Sequence, residues 1–520
     1  MRRLPGAVAL LLIVGLIGVA LAGLAAAGGS GDLGGSWIYI RRLVVFSLAQ
    51  AALSTVLSLA LGAALALALA RRIRFPGRGL FIAAMNVATV LPAIVAVFAI
   101  VAVFGRSGWL GRAATALGSD LGSWLYGLPG ILIAHVFFNT PLAARVLLAS
   151  LNAVSPEYWR LAAHLGMPAR TVFRLIDRPV LLREAPGLAG LIFLVCFTSF
   201  AIVLALGGGP NAATLEVAIF EALRFEGDFR RAAVLAILQI AVCLTLLVPV
   251  TAFTRRSAET PSSGLGPERS DADAAFWKVA DPAILVFGGA LILVPLAAII
   301  INGLAAAGSL FERQVLRALL TSIAIGAPAG LFAVALALAL ASLARQFRVT
   351  ELRPFAADMV GLAAIIILVV SPMALSAGLF VVLRPITNPF SIAMPLIALV
   401  NALMALPFVY RQVEPPLTLS AERYGRLADS LGIAGYARAR LIDWPLLRRP
   451  LLVALAVATS LSLGDLGVAS FFGAGQLETL PVLLHQRLGA YRIGEAASVS
   501  LLLSAMVLGL FLAARRWSGD

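Results

Sequence analysis

The chain has 520 residues, of which 61% are hydrophobic and only 12% charged, with a mean hydropathy of +1.00. Soluble domains carry roughly 25% charged residues, so a soluble fold, disorder, a collagen and a coiled coil are excluded. The formal charge of +15 fits basic residues gathered in the loops on one face of a membrane better than it fits nucleic-acid binding.

Apolar stretches long enough to cross about 30 Å of hydrocarbon fall at 5–27, 44–70, 80–104, 131–151, 187–206 and 232–253, then at 282–304, 316–344, 359–383, 392–408, 451–472 and 496–514. They are blocks rather than alternating patterns, which selects helices over a β-barrel. The expected fold is an all-α polytopic membrane protein with about twelve transmembrane helices, six and six. The first block follows Met1-Arg2-Arg3 and ends in Ala25-Ala26-Ala27, a pattern shared with cleaved signal peptides, but it exceeds an ordinary signal core and reads as an uncleaved span. With the N-terminus inside, the inner loops hold 28 of the 40 basic residues, which places both termini in the cytoplasm. Cys196 and Cys243 lie in apolar blocks, and His135, His164 and His485 are scattered. Neither set has metal-ligand or disulfide spacing.

Residues 255–281 are polar, rich in Ser, Pro and mixed charge, and read as a cytoplasmic linker. It separates a first repeat, 1–254 with its core at about 44–253, from a second, 282–520 with its core at about 315–514. The two are parallel repeats, because spans 4 and 10 have the same orientation. Shifted by 266 positions, 156–183 overlays 422–449 without gaps, and 13 of the 28 pairs are identical. Among them are Arg160/Arg426, Leu161/Leu427, Ala162/Ala428, Gly166/Gly432, Ile176/Ile442, Asp177/Asp443 and Pro179/Pro445. The best-matched element is therefore a hydrophilic loop, between spans 4 and 5 and again between spans 10 and 11. Ser155 and Pro156 can start a short helix there and Gly166 can end it; Ser420 and Gly432 can serve as cap and stop in the second copy. A short helix held at the membrane surface suits a cleft in another protein.

This loop resembles the signature of permease subunits of bacterial ATP-binding-cassette importers, EAA-x3-G-x9-I-x-L-P. Gly166, Ile176 and Pro179 fall in its register, as do Gly432, Ile442 and Pro445. Arg160-Leu161-Ala162 and Arg426-Leu427-Ala428 stand where the family has Glu-Ala-Ala, and Arg178 and Trp444 replace its Leu. The resemblance implies the type I importer permease fold and makes both loops coupling helices for an ATPase subunit present in two copies. It also implies a periplasmic solute-binding protein as receptor, a bacterial inner-membrane location with lipid around the spans, and no nucleic acid. Two permease repeats fused in one chain are similar to the thiamine and the ferric-iron types. Residues 196–225 and 464–492 are closer to the thiamine type, which implies a pathway for thiamine or thiamine diphosphate. The iron type stays open as an alternative, as does, in a different class, a twelve-helix secondary transporter.

The only Lys is Lys278, preceded by Asp-Ala-Ala-Phe-Trp, so the chain has no Walker A sequence. It is expected to be a transport subunit rather than an enzyme, with no cofactor or metal of its own. Asp465 lies well inside the eleventh predicted span, where a carboxylate is costly and needs a cavity or a partner. Its equivalent in the first repeat is Ser199. Two readings stand side by side, a carboxylate that caps a helix break and a pathway residue that attracts a cation. Glu216 and Glu478, with Glu221, fall in predicted outer loops and are candidates to face the receptor.

Overall fold

The computed structural model describes residues 4–28, 37–119, 122–209, 212–254, 269–433, 435–473 and 477–518. Residues 255–268 of the predicted linker, together with Pro210 and Gly475, lie outside them. Among the described residues the structure is helical throughout, without strands. In chain order the helices are α1 (Leu4–Gly28), α2 (Trp37–Arg71), α3 (Arg78–Val90), α4 (Ala93–Phe104), α5 (Trp109–Ala116), α6 (Leu128–Asn152), α7 (Pro156–His164), α8 (Ala169–Val172), α9 (Arg178–Phe197), α10 (Ala201–Leu206), α11 (Leu215–Glu221) and α12 (Phe229–Thr254). They continue as α13 (Ala275–Ala305), α14 (Arg313–Arg345), α15 (Pro354–Ile365), α16 (Pro372–Leu383), α17 (Ala393–Ser430), α18 (Gly435–Arg438), α19 (Trp444–Leu463), α20 (Gly467–Gly473), α21 (Leu480–Gly489) and α22 (Ile493–Ser518).

Ten helical stretches among the described residues are long and apolar enough to cross a membrane, which makes this an all-α polytopic membrane protein. Four predicted spans are broken: 187–206 between α9 and α10, 451–472 between α19 and α20, and two more at a proline. The span at 80–104 divides into α3 and α4 at Leu91, which is extended (ψ 142°) before Pro92. The span at 359–383 divides into α15 and α16 at Ser371, extended (ψ 154°) before Pro372. The cause is the same in both: the ring of a proline disfavours helical geometry in the residue before it. Ser371 Oγ then accepts a hydrogen bond from the Ala374 N–H at 3.1 Å and caps α16.

The helices group into two compact units that do not follow the halves of the sequence. One contains residues 37–214 and 242–305, the other residues 1–36, 215–241 and 306–520. In the first unit α2 packs on α6, α9 and α13, and α13 also packs on α3 and α4. In the second, α14 packs on α17 and α19, and α1 packs on α14 and α16. The opening span of each sequence half thus joins the unit built mainly from the other half. The hydrophobic pattern of a span says that it is buried in lipid or protein, and says nothing about which neighbour it takes.

Small residues set these contacts, because helices in lipid associate by close packing rather than by a hydrophobic drive. A Cβ on Gly288 of α13 would strike the Leu65 side chain of α2. On the other unit, a Cβ on Gly6 of α1 would lie 2.5 Å from Leu343 Cβ and 2.7 Å from the Ala339 carbonyl oxygen. A Cβ on Gly378 of α16 would collide with the Ala20 carbonyl oxygen of α1, which is backbone and cannot move aside. Gly18, also on α1, has nothing within 4 Å of the same position. Gly378→Val should therefore lower stability by about 1–3 kcal/mol, read as a fall in Tm of the detergent-solubilised chain, and Gly18→Val should leave Tm unchanged.

Candidate functional site

The first loop begins where Pro156 forbids continuation of α6. Ser155 Oγ accepts a hydrogen bond from the Glu157 N–H at 3.4 Å, with Pro156 at the first helical position of α7. The helix ends in a Schellman turn. The Met167 N–H donates to the Ala162 carbonyl at 3.0 Å, the Gly166 N–H donates to that of Ala163 at 3.1 Å, and Gly166 has φ +57°. Trp159, Ala162 and Val172 form a small core beneath the loop, with Val154, Met167 and Ile176 packed against it.

The second loop closes the same way and opens differently. The Ile433 N–H donates to the Ala428 carbonyl at 2.8 Å, the Gly432 N–H donates to that of Asp429 at 3.2 Å, and Gly432 has φ +66°. No separate short helix precedes this turn, and Ser420 is not an N-cap. α17 runs unbroken for 38 residues through Pro407, Pro415 and Pro416. Glu422 occupies the position equivalent to Pro156, so nothing forces the preceding residue out of helical geometry. Ser420 Oγ instead donates to Asp443 Oδ1 at 2.6 Å.

The two loops present the same face. Leu161 and Leu427 are 54% and 55% exposed, Leu165 and Leu431 62% and 63%, and Tyr158 and Tyr424 are exposed one turn earlier. Arg160 and Arg426 are exposed beside them, Ala162 and Ala428 are buried beneath, Gly166 and Gly432 are exposed at the ends, and Pro179 and Pro445 are exposed at the return to the long helix. Ile176 and Ile442 are both half-buried. Sequence reading singled out Leu161 and Leu427 but not the tyrosines or Leu165 and Leu431. Their i, i+3, i+7 spacing in both copies was the available signal.

Each loop returns to a long helix through a π-helical turn, Phe173–Asp177 or Ala439–Asp443, that ends on a buried aspartate. Asp443 pairs with Arg345 at 3.1 Å in addition to Ser420. Asp177 is held by Arg269, which donates from Nη1 and Nη2 to its two oxygens at 2.9 and 2.7 Å. Burial opposes the Arg269 charge, but hydrogen bonds and charge from Asp271 and Asp177 outweigh it and hold the guanidinium above its ordinary pKa.

Ser199 and Asp465 occupy matching helix breaks, Ser199 between α9 and α10 and Asp465 between α19 and α20. Asp465 Oδ1 accepts from the Val468 N–H at 3.2 Å and Oδ2 from the Ala469 N–H at 3.1 Å. The carboxylate therefore satisfies the N–H groups freed at the start of α20. Glu216 does not lie in a solvated loop. It is fully buried on α11, accepting from Gln239 Nε2 and from the Met373 N–H at the start of α16. Leu215, Val217, Ala218, Ile219 and Phe220 surround it in sequence, a run too apolar for a loop. Glu478 is half-buried and accepts from Gln314 Nε2 at 3.0 Å.

Membrane-length helices carrying two matched loops with outwardly apolar faces define a multi-pass membrane protein with an internal duplication. No family model matches the chain. Over 520 residues it is 41% identical to the thiamine transport system permease protein of Brucella melitensis biotype 1, covering 99% of this chain and 95% of the relative. It is 39% identical over 475 residues to the protein of that name from Salmonella typhimurium, covering 91% of this chain and 88% of the relative. Against the Escherichia coli K12 protein it is 38% identical over 486 residues, covering 92% and 90%. The chain belongs to the thiamine transport system permease family, and is a transmembrane permease subunit.

The geometry at Asp465 separates its two oxygens by role only weakly, so one acceptor should retain much of the cap. Asp465→Ala should cost about 1 kcal/mol of stability, and Asp465→Asn less, as measured by thermal melts of the purified chain.

Proposed function

We propose that this chain forms the translocation pathway of an ATP-driven importer, carrying thiamine or thiamine diphosphate delivered by a periplasmic binding protein. The observation that carries the reading is the duplicated docking face on α7 and on the end of α17, together with the permease relatives. The repeats at 1–254 and 282–520 each supply one coupling loop, and each loop takes one copy of an ATPase subunit. ATP hydrolysis belongs to that separate subunit. The single lysine, Lys278, sits at the start of α13, 3.7 Å from Asp273, without the glycine-rich cradle a phosphate needs.

Tyr158, Leu161 and Leu165 form the ridge that enters the ATPase groove, with Tyr424, Leu427 and Leu431 as its counterpart. The Schellman turns at Gly166 and Gly432 end each ridge abruptly, so the chain can turn back to the membrane without lengthening the docking helix. Arg160 and Arg426, in place of the family's acid, flank the ridge with positive charge. Ser199 and Asp465 mark helix breaks along the pathway, where irregular backbone borders the route of a passing solute. Both termini and the loops lie in the cytoplasm of a bacterial inner-membrane protein, an orientation supported by the distribution of arginines.

Burial of one leucine contributes about 1.5–3 kcal/mol, so Leu161→Asp or Leu427→Asp should weaken ATPase association at least about tenfold and abolish uptake of labelled thiamine in reconstituted vesicles. Normal uptake by both variants would remove the coupling role, and uptake of ferric iron in place of thiamine would reassign the substrate. For orientation, Ser123→Cys should react with an impermeant thiol reagent in intact cells and Glu422→Cys should not.

A further inference from the structure

Arg269 lies midway along the predicted linker, yet it is buried against the first loop. Besides its two bonds to Asp177, it donates from Nε and Nη2 to the two oxygens of Asp271, both at 2.9 Å. Its guanidinium also stacks over the ring of Trp159, 4.1 Å from the centroid. Trp159 is the buried aromatic of α7, on the side opposite the exposed ridge. A second anchor follows within a dozen residues. Asp281 is fully buried, accepts a hydrogen bond from Arg71 at 2.7 Å and is ion-paired with Arg72 at 3.2 Å. Arg71 stacks over Trp277 at 3.8 Å. Arg72 also donates to the carbonyls of Ala272 and Trp277, at 2.9 and 3.0 Å. Residues 269–281 are thus fastened at one end to the loop and at the other to the end of α2.

Among the described residues the second loop has no such fastening to the linker. Its aspartate, Asp443, takes its cation from Arg345, the last residue of α14. Arg71 is the last residue of α2, but it is committed to Asp281. The place of Trp159 is taken by Gly425. The guanidinium that pairs directly with the first loop's buried aspartate therefore comes from the linker, with the charge of Arg71 acting on it from farther away.

We propose that residues 269–281 are a positioning strap for the first coupling loop, and that Arg269 is its positioning residue. The strap sets the angle of α7 from behind, through Trp159 and Asp177, so that movement of the docked ATPase is passed into α9 rather than absorbed by the loop. Planarity matters, because only a guanidinium can fork to two carboxylates while lying flat on an indole. The proposal rests on the coupling reading above.

The test uses the full chain, reconstituted with its ATPase and receptor, and measures thiamine taken up per ATP hydrolysed beside Tm and cross-linking of Leu161→Cys and Leu427→Cys to the ATPase. Removing one partner of a buried charge pair is strongly disruptive, so Arg269→Gln should lower uptake per ATP about tenfold while the Leu427→Cys cross-link persists. Arg269→Lys should lie between it and wild type, and supplies the same ratio should Arg269→Gln fail to insert. Arg269→Gln combined with Asp177→Asn and Asp271→Asn removes the unpaired charges and should restore Tm without restoring the ratio. Unchanged uptake per ATP in Arg269→Gln and Arg269→Lys, with Leu161→Asp still abolishing uptake, overturns the strap and leaves the coupling reading intact. A triple variant that restores the ratio along with Tm reduces Arg269 to a structural staple. If Leu161→Asp also transports normally, the coupling reading falls and the strap with it.

Discussion

A carboxylate taken out of water needs a cation or several donors close by, and its attachment to the chain then fixes whatever supplies them. Asp177 and Asp443 impose that requirement at the point where each loop turns back into a long helix. Both sit at the end of a π-helical turn, one residue before the helix and two before its proline. The widened turn brings the carboxylate inward, and the proline has no N–H to offer it. Arginine supplies the missing charge in both cases, from Arg269 and from Arg345. In each loop this buried pair lies close behind the exposed ridge.

Within the spans the governing contact is different. There is no water to expel between lipid-facing helices, so close approach of backbones does the packing. Gly378 against the Ala20 backbone is such an approach, and Gly288 makes room for the Leu65 side chain. They seat α1 and α13 in units assembled mostly from the opposite sequence half. Within the spans these approaches tie the two halves of the sequence together by packing, with the charged Asp281–Arg71 contact confined to the end of α2.

The all-helical membrane class was legible from composition alone, and the loops were legible because a gap-free match at a 266-residue shift falls on polar positions that lipid does not constrain. The breaks at Pro92 and Pro372 were available in the same way, from the residue before each proline, but long apolar runs concealed them. Ser420 was misplaced because a serine near a helix start resembles a cap wherever it falls; the absence of a proline at Glu422 was the better guide. Glu216 was misassigned because an acid near a glycine-rich turn resembles a solvated one, although five apolar neighbours pointed to burial. Arg269 could not be found from its own neighbourhood. A stretch of Ser, Pro and mixed charge reads as solvated, and only the fold brings Trp159 and Asp177 to it. Which helix receives α1 or α13 was equally beyond a hydrophobic pattern, which has a period and a length but no address.

Fusion of two repeats in one chain removes the demand that they stay alike. In a pair of identical subunits every change appears twice, so a Trp that needs a guanidinium above it would need one in both copies. Here Trp159 corresponds in sequence to Gly425, Pro156 to Glu422, and Ser199 to Asp465. The first loop helix starts afresh after a break and is secured from behind by the linker. The second is the last turns of a 38-residue helix and inherits its direction from the membrane span. A helix continuous with its span is oriented by that span, whereas a helix severed from it needs another support. The Pro156 break and the Arg269 contact therefore belong together: the first removes the covalent control of α7 that α6 would have exerted, and the second replaces it with a buried, bidentate and stacked cation. The exposed faces have stayed matched because both present the same ridge, while the supports beneath them have diverged.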